Sequence, residues 1–239
     1  MFHRARFALW TTRLRLELRR KGGRLELDAP RGARLKGAPT LHVTGEGEGD
    51  GVLRLRIGRD VTFGRGISMR IRAKGTNFLE LGDRTDVQDG VRLWLFSGSL
   101  RVGRSSILRD CALFKTSGNL ELGEFVRVGY CTVFHCHEEI RIGDRVGIAD
   151  HIVFIDSDHV HDGSDTWMMD QPVKATPVDI GRNTLVGAHA MITRGARVGR
   201  NSIIAASALV RAGDYPDSSL LGGLPAGVLR SLHGDAGEP

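Results

Sequence analysis

Pairs of an aliphatic residue followed by glycine recur along most of this chain. They are Ile57-Gly58, Leu81-Gly82, Val102-Gly103, Leu122-Gly123, Ile142-Gly143, Ile180-Gly181 and Val198-Gly199. Successive glycines are 24, 21, 20, 20, 38 and 18 residues apart, so every interval but one lies close to 18, the length of three hexapeptides. A period in this range predicts a solenoid built of stacked coils. The one long interval equals 18 plus 20 and indicates an inserted segment.

The hexapeptides themselves predict short strands. From Leu100 onward, most of them carry an apolar residue at the third position and small or polar residues at their edges. Because alternate side chains of a strand point to opposite faces, each hexapeptide would turn its apolar residue into a core. Glycine after the aliphatic residue suits a tight bend between strands. Three such strands per coil predict an all-β protein with a parallel β-helix.

Three segments follow from this pattern. We expect a basic helical or extended segment over residues 1–40, the β-helix over residues 41–215, and a C-terminal cap and tail over residues 216–239. The inserted loop would occupy residues 157–176 within the β-helix. A loop of this length inside a regular solenoid is more often functional than accidental.

The positive charge of the chain is concentrated near residue 1. The net charge is +6, and residues 1–24 contain eight Arg and Lys against a single acid, Glu17. Four apolar residues of this segment are spaced so that they would lie on one face of a helix: Phe7, Trp10, Leu14 and Leu18. We expect this face to pack against the solenoid or a neighbouring subunit; the alternative is peripheral contact with an anionic membrane surface. No nucleic acid partner is expected, because the stretch lacks the interleaved aromatic residues of a binding module.

Composition favours a soluble cytoplasmic protein. Hydrophobic residues make up 41% of the chain, but no stretch approaches the roughly 18 consecutive apolar residues that suggest a transmembrane helix. The first 20 residues contain only a short apolar run, which does not fit a signal peptide. The three cysteines lack the spacing of a zinc ribbon and fit a reducing compartment. We therefore expect the protein to be cytoplasmic, and to lie at the inner face of the membrane if its N-terminal helix binds lipid.

The densest cluster of histidine and aspartate opens the inserted loop. Its sequence is Asp156-Ser157-Asp158-His159-Val160-His161-Asp162. An imidazole near its ordinary pKa can take a proton from a hydroxyl at neutral pH, and a neighbouring carboxylate can fix its tautomer. Acyl transfer from a thioester to an alcohol requires such a base, together with hydrogen-bond donors for the developing oxyanion.

Ordered motifs over roughly residues 50–232 resemble a known family. They are IGDRVGIADHIVFIDSDHVH from Ile142, PVDIGRNTLVGAHAMITRGARVGRNSIIAASALV from Pro177 and LLGGLPAGVLRSL from Leu220. In these motifs the chain is similar to the hexapeptide-repeat acyltransferases, in the branch of galactoside and maltose O-acetyltransferases and the acyltransferases of polysaccharide biosynthesis. The resemblance implies a left-handed β-helix, a homotrimer, and transfer of acetyl from acetyl-CoA to a hydroxyl of a sugar or glycan precursor.

The resemblance also implies roles for residues at the inserted loop. The catalytic histidine of the family occupies the position of His159, which would be the general base, with Asp158 or Asp156 as its orienting partner. The acceptor pocket would be formed by His137, His135, His161 and Trp167. In galactoside enzymes an acidic residue stands near the position of His137, so the identity of the acceptor stays open.

The acetyl-CoA of the family lies along the last coils, in a groove between two subunits. The residues that match this groove are Leu185, Gly187, Ala188, Arg194, Ala206, Ser207, Arg211, Pro225 and Arg230. The backbone amide near Gly187 and Ala188 would be the oxyanion donor. Leu185 replaces a usual Trp and Gly227 a usual Lys or Arg, so Arg230, Arg211 or Arg194 would have to contact the phosphates of CoA.

Two other functions stay open at the level of the sequence. The γ-class carbonic anhydrases are left-handed β-helices that bind zinc through three histidines, but His135 and His137 do not have the spacing of their ligands. No metal is therefore expected. The second alternative is a non-catalytic β-helix scaffold whose CoA groove has decayed.

Overall fold

A computed structural model describes residues 2–44 and 51–232 of the protein. One helix, α1 (Phe2–Arg20), precedes 29 β-strands within these residues. The chain passes through three parallel sheets, which we call A, B and C, in the same order in successive coils. The predicted parallel β-helix with a short N-terminal helix is confirmed.

The strands stack into the three sheets with about one strand of each sheet per coil. Sheet A contains β1 (Arg24–Asp28), β4 (Val52–Ile57), β7 (Thr76–Leu81), β10 (Ser99–Val102), β13 (Asn119–Leu122), β16 (Glu139–Ile142), β21 (Val178–Ile180), β24 (Ala196–Val198) and β27 (Gly213–Tyr215). Sheet B contains β2 (Arg34–Leu35), β5 (Thr62–Phe63), β8 (Asp86–Val87), β11 (Ile107–Leu108), β14 (Arg127–Val128), β17 (Gly147–Ile148), β22 (Leu185–Val186), β25 (Ile203–Ile204), β28 (Ser219–Gly223) and β29 (Ala226–Ser231). Sheet C contains β3 (Thr40–Thr44), β6 (Ser68–Arg72), β9 (Arg92–Leu95), β12 (Leu113–Thr116), β15 (Val133–Cys136), β18 (Val153–Ile155), β23 (Met191–Thr193) and β26 (Leu209–Val210).

The core is a column of side chains from equivalent positions of successive coils. Phe114, Phe134 and Phe154 are fully buried and stack with ring centroids 5.0 and 4.7 Å apart. Their neighbours in β12 and β15 alternate between buried and partly exposed positions, as the pleat of a strand requires. The apolar third residue of these hexapeptides is therefore the side chain that points into the core.

Glycine at the coil corners is required by the close stacking of backbones. A Cβ atom on Gly103 would lie 2.5 Å from the carbonyl of Gly123 in the next coil, a distance that real Cβ atoms do not adopt. The glycine of the repeat is thus explained by packing between coils.

Helix α1 covers the first coil. Phe7, Trp10, Leu14 and Leu18 are buried in the same core cluster as the coils. The Trp10 indole donates a hydrogen bond of 3.0 Å to the Pro39 carbonyl, and its ring lies 6.1 Å from that of Phe63. The predicted packing of this face against the solenoid is confirmed, and the apolar face of the helix is occupied by the protein itself.

The first coil begins earlier than the segment boundaries set from the sequence. Strands β1, β2 and β3, within residues 24–44, pair in parallel with β4, β5 and β6. The β-helix thus starts at Arg24 and not at residue 41. The pattern missed this coil because it contains no aliphatic-glycine pair at the end of β1, where Asp28 is followed by alanine.

At the other end, β28 and β29 form an antiparallel hairpin that ends sheet B. This hairpin lies within the expected cap over residues 216–239, of which residues 233–239 lie outside the described part of the chain. Within residues 2–44 and 51–232, no helix combines the length and the apolar character needed to cross a membrane.

Candidate active site

The interruption of the period is a hairpin that projects from the corner between sheets C and A. Its strands, β19 (Ser157–His159) and β20 (Val173–Ala175), pair antiparallel, with His159 opposite Val173. A 3-10 turn at Met168–Asp170 lies in the loop between them. The loop is held by Gln171, which is buried; its side chain accepts from the Asp162 amide and donates to the Thr166 carbonyl. We call residues 157–176 the inserted hairpin.

A groove of about 680 Å³ lies between the inserted hairpin and sheet C. We call it the hairpin groove. Three of the four predicted histidines line it, namely His135, His137 and His159. Its other lining residues are Arg72, Phe96, Ser97, Lys115, Ser117, Cys136, Ile155, Ser157, Asp158, Met169 and Val173. The structure thus brings together the predicted base and two predicted acceptor residues.

The floor of the groove is formed by side chains that stack along sheet C. Lys115 is in register with His135, and His135 with Ile155. Two residues further along, just past the ends of β12 and β15, Ser117 lies next to His137, with 3.4 Å between the hydroxyl oxygen and Nδ1. The side chains of both rows, Lys115–His135–Ile155 and Ser117–His137, point outward, because these positions alternate with the inward residues of the core.

Two groups in the groove have shifted pKa values. Burial and the positive charge of Lys115 lower the pKa of His135 below its ordinary value of 6.5, so this imidazole is neutral at neutral pH. Burial raises the pKa of the Cys136 thiol to about 12. Cys136 therefore stays a thiol and is not a nucleophile at neutral pH.

Asp156 does not orient His159, contrary to one of the two sequence-based interpretations. Its carboxylate is fully buried and accepts hydrogen bonds of 2.7, 2.8 and 2.8 Å from the backbone N–H groups of His137, Glu138 and Glu139. All three donors belong to the corner of the preceding coil. Asp156 thus fixes the position of the backbone that carries His137.

Asp158 is also bonded elsewhere. Its Oδ2 accepts a hydrogen bond of 2.6 Å from the Arg194 Nε, 36 residues further along the chain. Among the described residues, neither this carboxylate nor that of Asp156 is hydrogen bonded to His159. The physical reason is the extended backbone of β19, in which adjacent side chains point to opposite sides. The ion pair connects the inserted hairpin to the coil after it.

His161 and Trp167 do not line the hairpin groove. Trp167 lies in the loop of the inserted hairpin with 68% of its surface exposed, beside the exposed Met168 and Met169. The sequence prediction that these residues shape an acceptor pocket is thus not supported by their positions in the single chain.

The predicted donor residues lie on the coils that follow the inserted hairpin. Ala188 and Ser207 are one coil apart at the same corner, joined by a 2.9 Å hydrogen bond from the Ser207 amide to the Ala188 carbonyl. Gly187 packs against the Ala206 backbone, where a Cβ atom would come within 2.5 Å. Leu185 is exposed on sheet B, Arg194 is paired with Asp158, Arg211 follows β26, and Pro225 and Arg230 belong to the terminal hairpin.

The corner at Ala188 contains an amide that donates to no group among the described residues. The Gly187 N–H donates to the Ile204 carbonyl at 2.8 Å and is thus occupied. At the same corner two coils earlier, the Tyr130 N–H donates to the carboxylate of Asp150 in the next coil. The residue one coil beyond Ala188 is Ala206, which has no side-chain acceptor. The Ala188 N–H is therefore available to a ligand.

Sequence reasoning missed Lys115, Arg72 and Phe96 as residues of the groove. A signal for the first was present, since Lys115 lies 20 residues before His135, one coil in this part of the chain. Within residues 2–44 and 51–232, no three His, Cys, Asp or Glu side chains are grouped in a way that could hold a metal ion.

No protein-family model and no curated protein matches the chain. Among solved structures, a galactoside acetyltransferase in complex with coenzyme A is 24% identical over 48% of this chain and 56% of its own, with a TM-score of 0.44. The hexapeptide-repeat containing acetyltransferase VCA0836 from Vibrio cholerae O1 biovar eltor, complexed with acetyl coenzyme A, is 25% identical over 55% and 70%, with a TM-score of 0.48. The polySia-specific acetyltransferase NeuO is 17% identical over 90% and 85%, with a TM-score of 0.48.

These three solved structures are acetyltransferases, the class that the sequence motifs resemble. This chain spans little more than half the length of the first of them. All three TM-scores are below 0.5, so the function is argued from the motifs and from the geometry of the hairpin groove.

Proposed function

We propose that this protein is an O-acetyltransferase that moves an acetyl group from acetyl-CoA to a hydroxyl of a sugar or glycan precursor. The observation that carries the proposal is the hairpin groove, which His159 lines together with His135 and His137 at the point where the solenoid is interrupted. The motifs from Ile142 to Leu232 supply the resemblance to acetyl-CoA-dependent enzymes.

In the proposed reaction, His159 takes the proton of the acceptor hydroxyl while the oxygen attacks the thioester carbonyl. The tetrahedral oxyanion accepts a hydrogen bond from the Ala188 N–H, which donates to no other described residue. Collapse forms the ester C–O bond and breaks the C–S bond. The proton then passes from His159 to the leaving thiolate, so acetyl-CoA and an alcohol become CoA and an acetyl ester.

None of the predicted donor residues lines the hairpin groove, although Arg194 is paired with Asp158 at its edge, and we propose that a homotrimer completes the site. The inserted hairpin exposes Trp167, Met168 and Met169, and sheet B exposes Leu185 and Ile203. Trp167, Met168 and Met169 are consecutive in the sequence, and Leu185 is in register with Ile203, so each group exposes neighbouring apolar side chains, as protein interfaces do. Three copies around one axis would form a closed ring with three equivalent sites. Because the phosphates of CoA do not cross a bilayer unaided, we place the reaction in the cytoplasm.

The function is tested by thiol release from acetyl-CoA with a panel of sugars, sugar nucleotides and hydroxyl amino acids. We expect release that depends on the acceptor and product that carries one acetyl ester by mass spectrometry. The proposal is wrong if no acceptor raises the rate of thiol release and millimolar CoA causes no thermal shift, a result that would favour the scaffold interpretation.

A further inference from the structure

The charges of the hairpin groove are strongly unequal. Arg72 and Lys115 line it, and among the described residues of its lining the one acid is Asp158. Asp158 is already neutralised by its 2.6 Å contact with Arg194. The buried carboxylate of Asp156, below the floor, is satisfied by three backbone amides. The groove is therefore left with an excess of positive charge.

Neither cation of the groove has an acidic partner among the described residues. The Arg72 guanidinium lies 6.0 Å from the centroid of the Phe96 ring, which holds the arginine side chain by a cation–π contact and leaves its N–H groups available. Lys115 is half-buried between Trp94 and His135 on the outward ladder of sheet C. Some exposed arginines elsewhere on the coils do pair with acids one coil away, as Arg59 does with Asp83 and Arg104 with Glu124.

Lys115 also acts on the histidine next to it. Its positive charge is one of the causes that lower the pKa of His135, after burial. An unpaired ammonium group beside a neutral imidazole favours an anion as the third partner. One small anion can contact both Lys115 and His135, because the two residues are one coil apart, or roughly 4.8 Å along the stack.

We infer that the acceptor of the proposed transfer carries an anionic group, a phosphate or a carboxylate, that binds between Lys115 and Arg72. This inference rests on the proposed function and names its substrate class. The acceptor hydroxyl lies at the His159 end of the groove, and the anionic group lies towards the first coils. In sheet C, Lys115 is two coils and Arg72 four coils before β18, the strand that leads into the inserted hairpin. Lys115 and Arg72 are then the residues that distinguish an acidic or phosphorylated sugar from a neutral one.

The experiment is equilibrium binding by titration calorimetry with three matched probes: glucose, glucose 6-phosphate and glucuronate. We expect one or both anionic probes to bind at least about tenfold more tightly than glucose, a factor that equals about 1.4 kcal/mol. Lys115→Gln should remove most of this difference, and Lys115→Gln combined with Arg72→Gln should abolish it. Binding that weakens from low to high salt is expected for the anionic probes alone.

The matched control is Lys36→Gln, an exposed lysine that does not line the groove. It should leave all three affinities unchanged, and thermal unfolding should show that each variant is folded. Preference for the phosphate or for the carboxylate identifies which of the two anions the groove binds. The inference is overturned if glucose binds as tightly as both anionic probes, or if Lys115→Gln and the double variant retain the full difference.

The same probes in the thiol-release assay separate this inference from the function on which it rests. Transfer to neutral sugars that equals transfer to anionic ones, with Lys115→Gln fully active, contradicts the inference and leaves the acetyltransferase proposal standing. Absence of transfer to every acceptor contradicts the function, while the binding experiment still reports on the anion site.

Discussion

The regular coils and the inserted hairpin are held together by different forces. Between Ser99 and Ile155 each coil buries its apolar residues in one column, and the Phe114, Phe134 and Phe154 rings stack in that column. The inserted hairpin, in contrast, exposes most of its side chains and is tied to the coils by polar contacts. These contacts include the Thr176 amide bonded to the Asp156 carbonyl, the Gly195 amide bonded to the Thr176 carbonyl, and the ion pair of Asp158 with Arg194. The buried Asp156 carboxylate fixes the coil corner next to the first residue of the hairpin.

This difference explains where chemistry is placed in the molecule. The coils leave little freedom, because each corner is within van der Waals distance of the next, as at Gly103. A group that must approach a substrate needs an element outside the stack, and the hairpin provides one next to a rigid floor. Changes in the coils should therefore cost stability, and changes in the hairpin should cost activity. Four stability predictions, ordered from the largest effect to the smallest, test this division.

Phe134→Ala should give the largest loss of stability. The ring is fully buried between two others, and its removal leaves a cavity in the middle of the column. We expect the free energy of unfolding to fall by roughly 3–5 kcal/mol, measured by urea denaturation. The matched control is Phe125→Ala, whose ring is 38% exposed at a corner and which should cost far less. Equal losses at the two positions would mean that the column is not the main source of stability.

Asp156→Asn should come next. The amide group has nearly the shape of the carboxylate, but its NH₂ cannot accept from the Glu138 and Glu139 amides that Oδ2 now binds. We expect a loss of roughly 2–3 kcal/mol, with faster hydrogen exchange of the amides at residues 137–139. Asp165→Asn, at an exposed position of the hairpin, is the control and should be neutral. Unchanged exchange at residues 137–139 would contradict the role of Asp156 in fixing this backbone.

The sequence predicted the coils better than the site for the same physical reason. Period and alternation depend on backbone geometry alone, so Phe134 and the corner glycines could be placed without knowledge of any contact. The hydrogen-bond partners of Asp156 and Asp158 could not be predicted, because these partners lie in other coils and the contacts depend on side-chain direction. The pair of Lys115 and His135 was predictable in part. The period that places them together was visible, but the charge balance of the groove required the structure.

His135 predicts a pH effect at the boundary between the two regions. Burial and Lys115 lower the pKa of its imidazole, so below about pH 6.5 the unfolded chain binds this proton more readily than the folded protein does. The free energy of unfolding should therefore fall as the pH falls through this range, and no such contribution should exist above it. His135→Gln should show a weaker decrease between pH 8 and pH 5 in urea denaturation. Parallel curves for the two proteins would contradict the shift.

The ion pair between Asp158 and Arg194 should have the smallest effect on global stability. Both partners are partly exposed, with 56% and 32% of their side chains accessible, so water and salt weaken their attraction. A double-mutant cycle with Asp158→Asn and Arg194→Gln should give a coupling of roughly 0.2–1 kcal/mol. Local exchange at residues 157–160 should still increase in both variants. A coupling above this range would show that the hairpin contributes to the core as the coils do.

The central claim, that the inserted hairpin supplies the general base, is tested most directly by comparing two histidines of that hairpin. His159 lines the groove, whereas His161, two residues further, does not. With an acceptor that supports transfer by the wild-type protein, His159→Ala should lower kcat/KM for acetyl transfer by roughly 10²–10⁴-fold. His161→Ala should remain close to wild type, and both variants should keep the wild-type circular dichroism and oligomeric state. Near-full activity of His159→Ala, or an equal loss in both variants, would contradict the account.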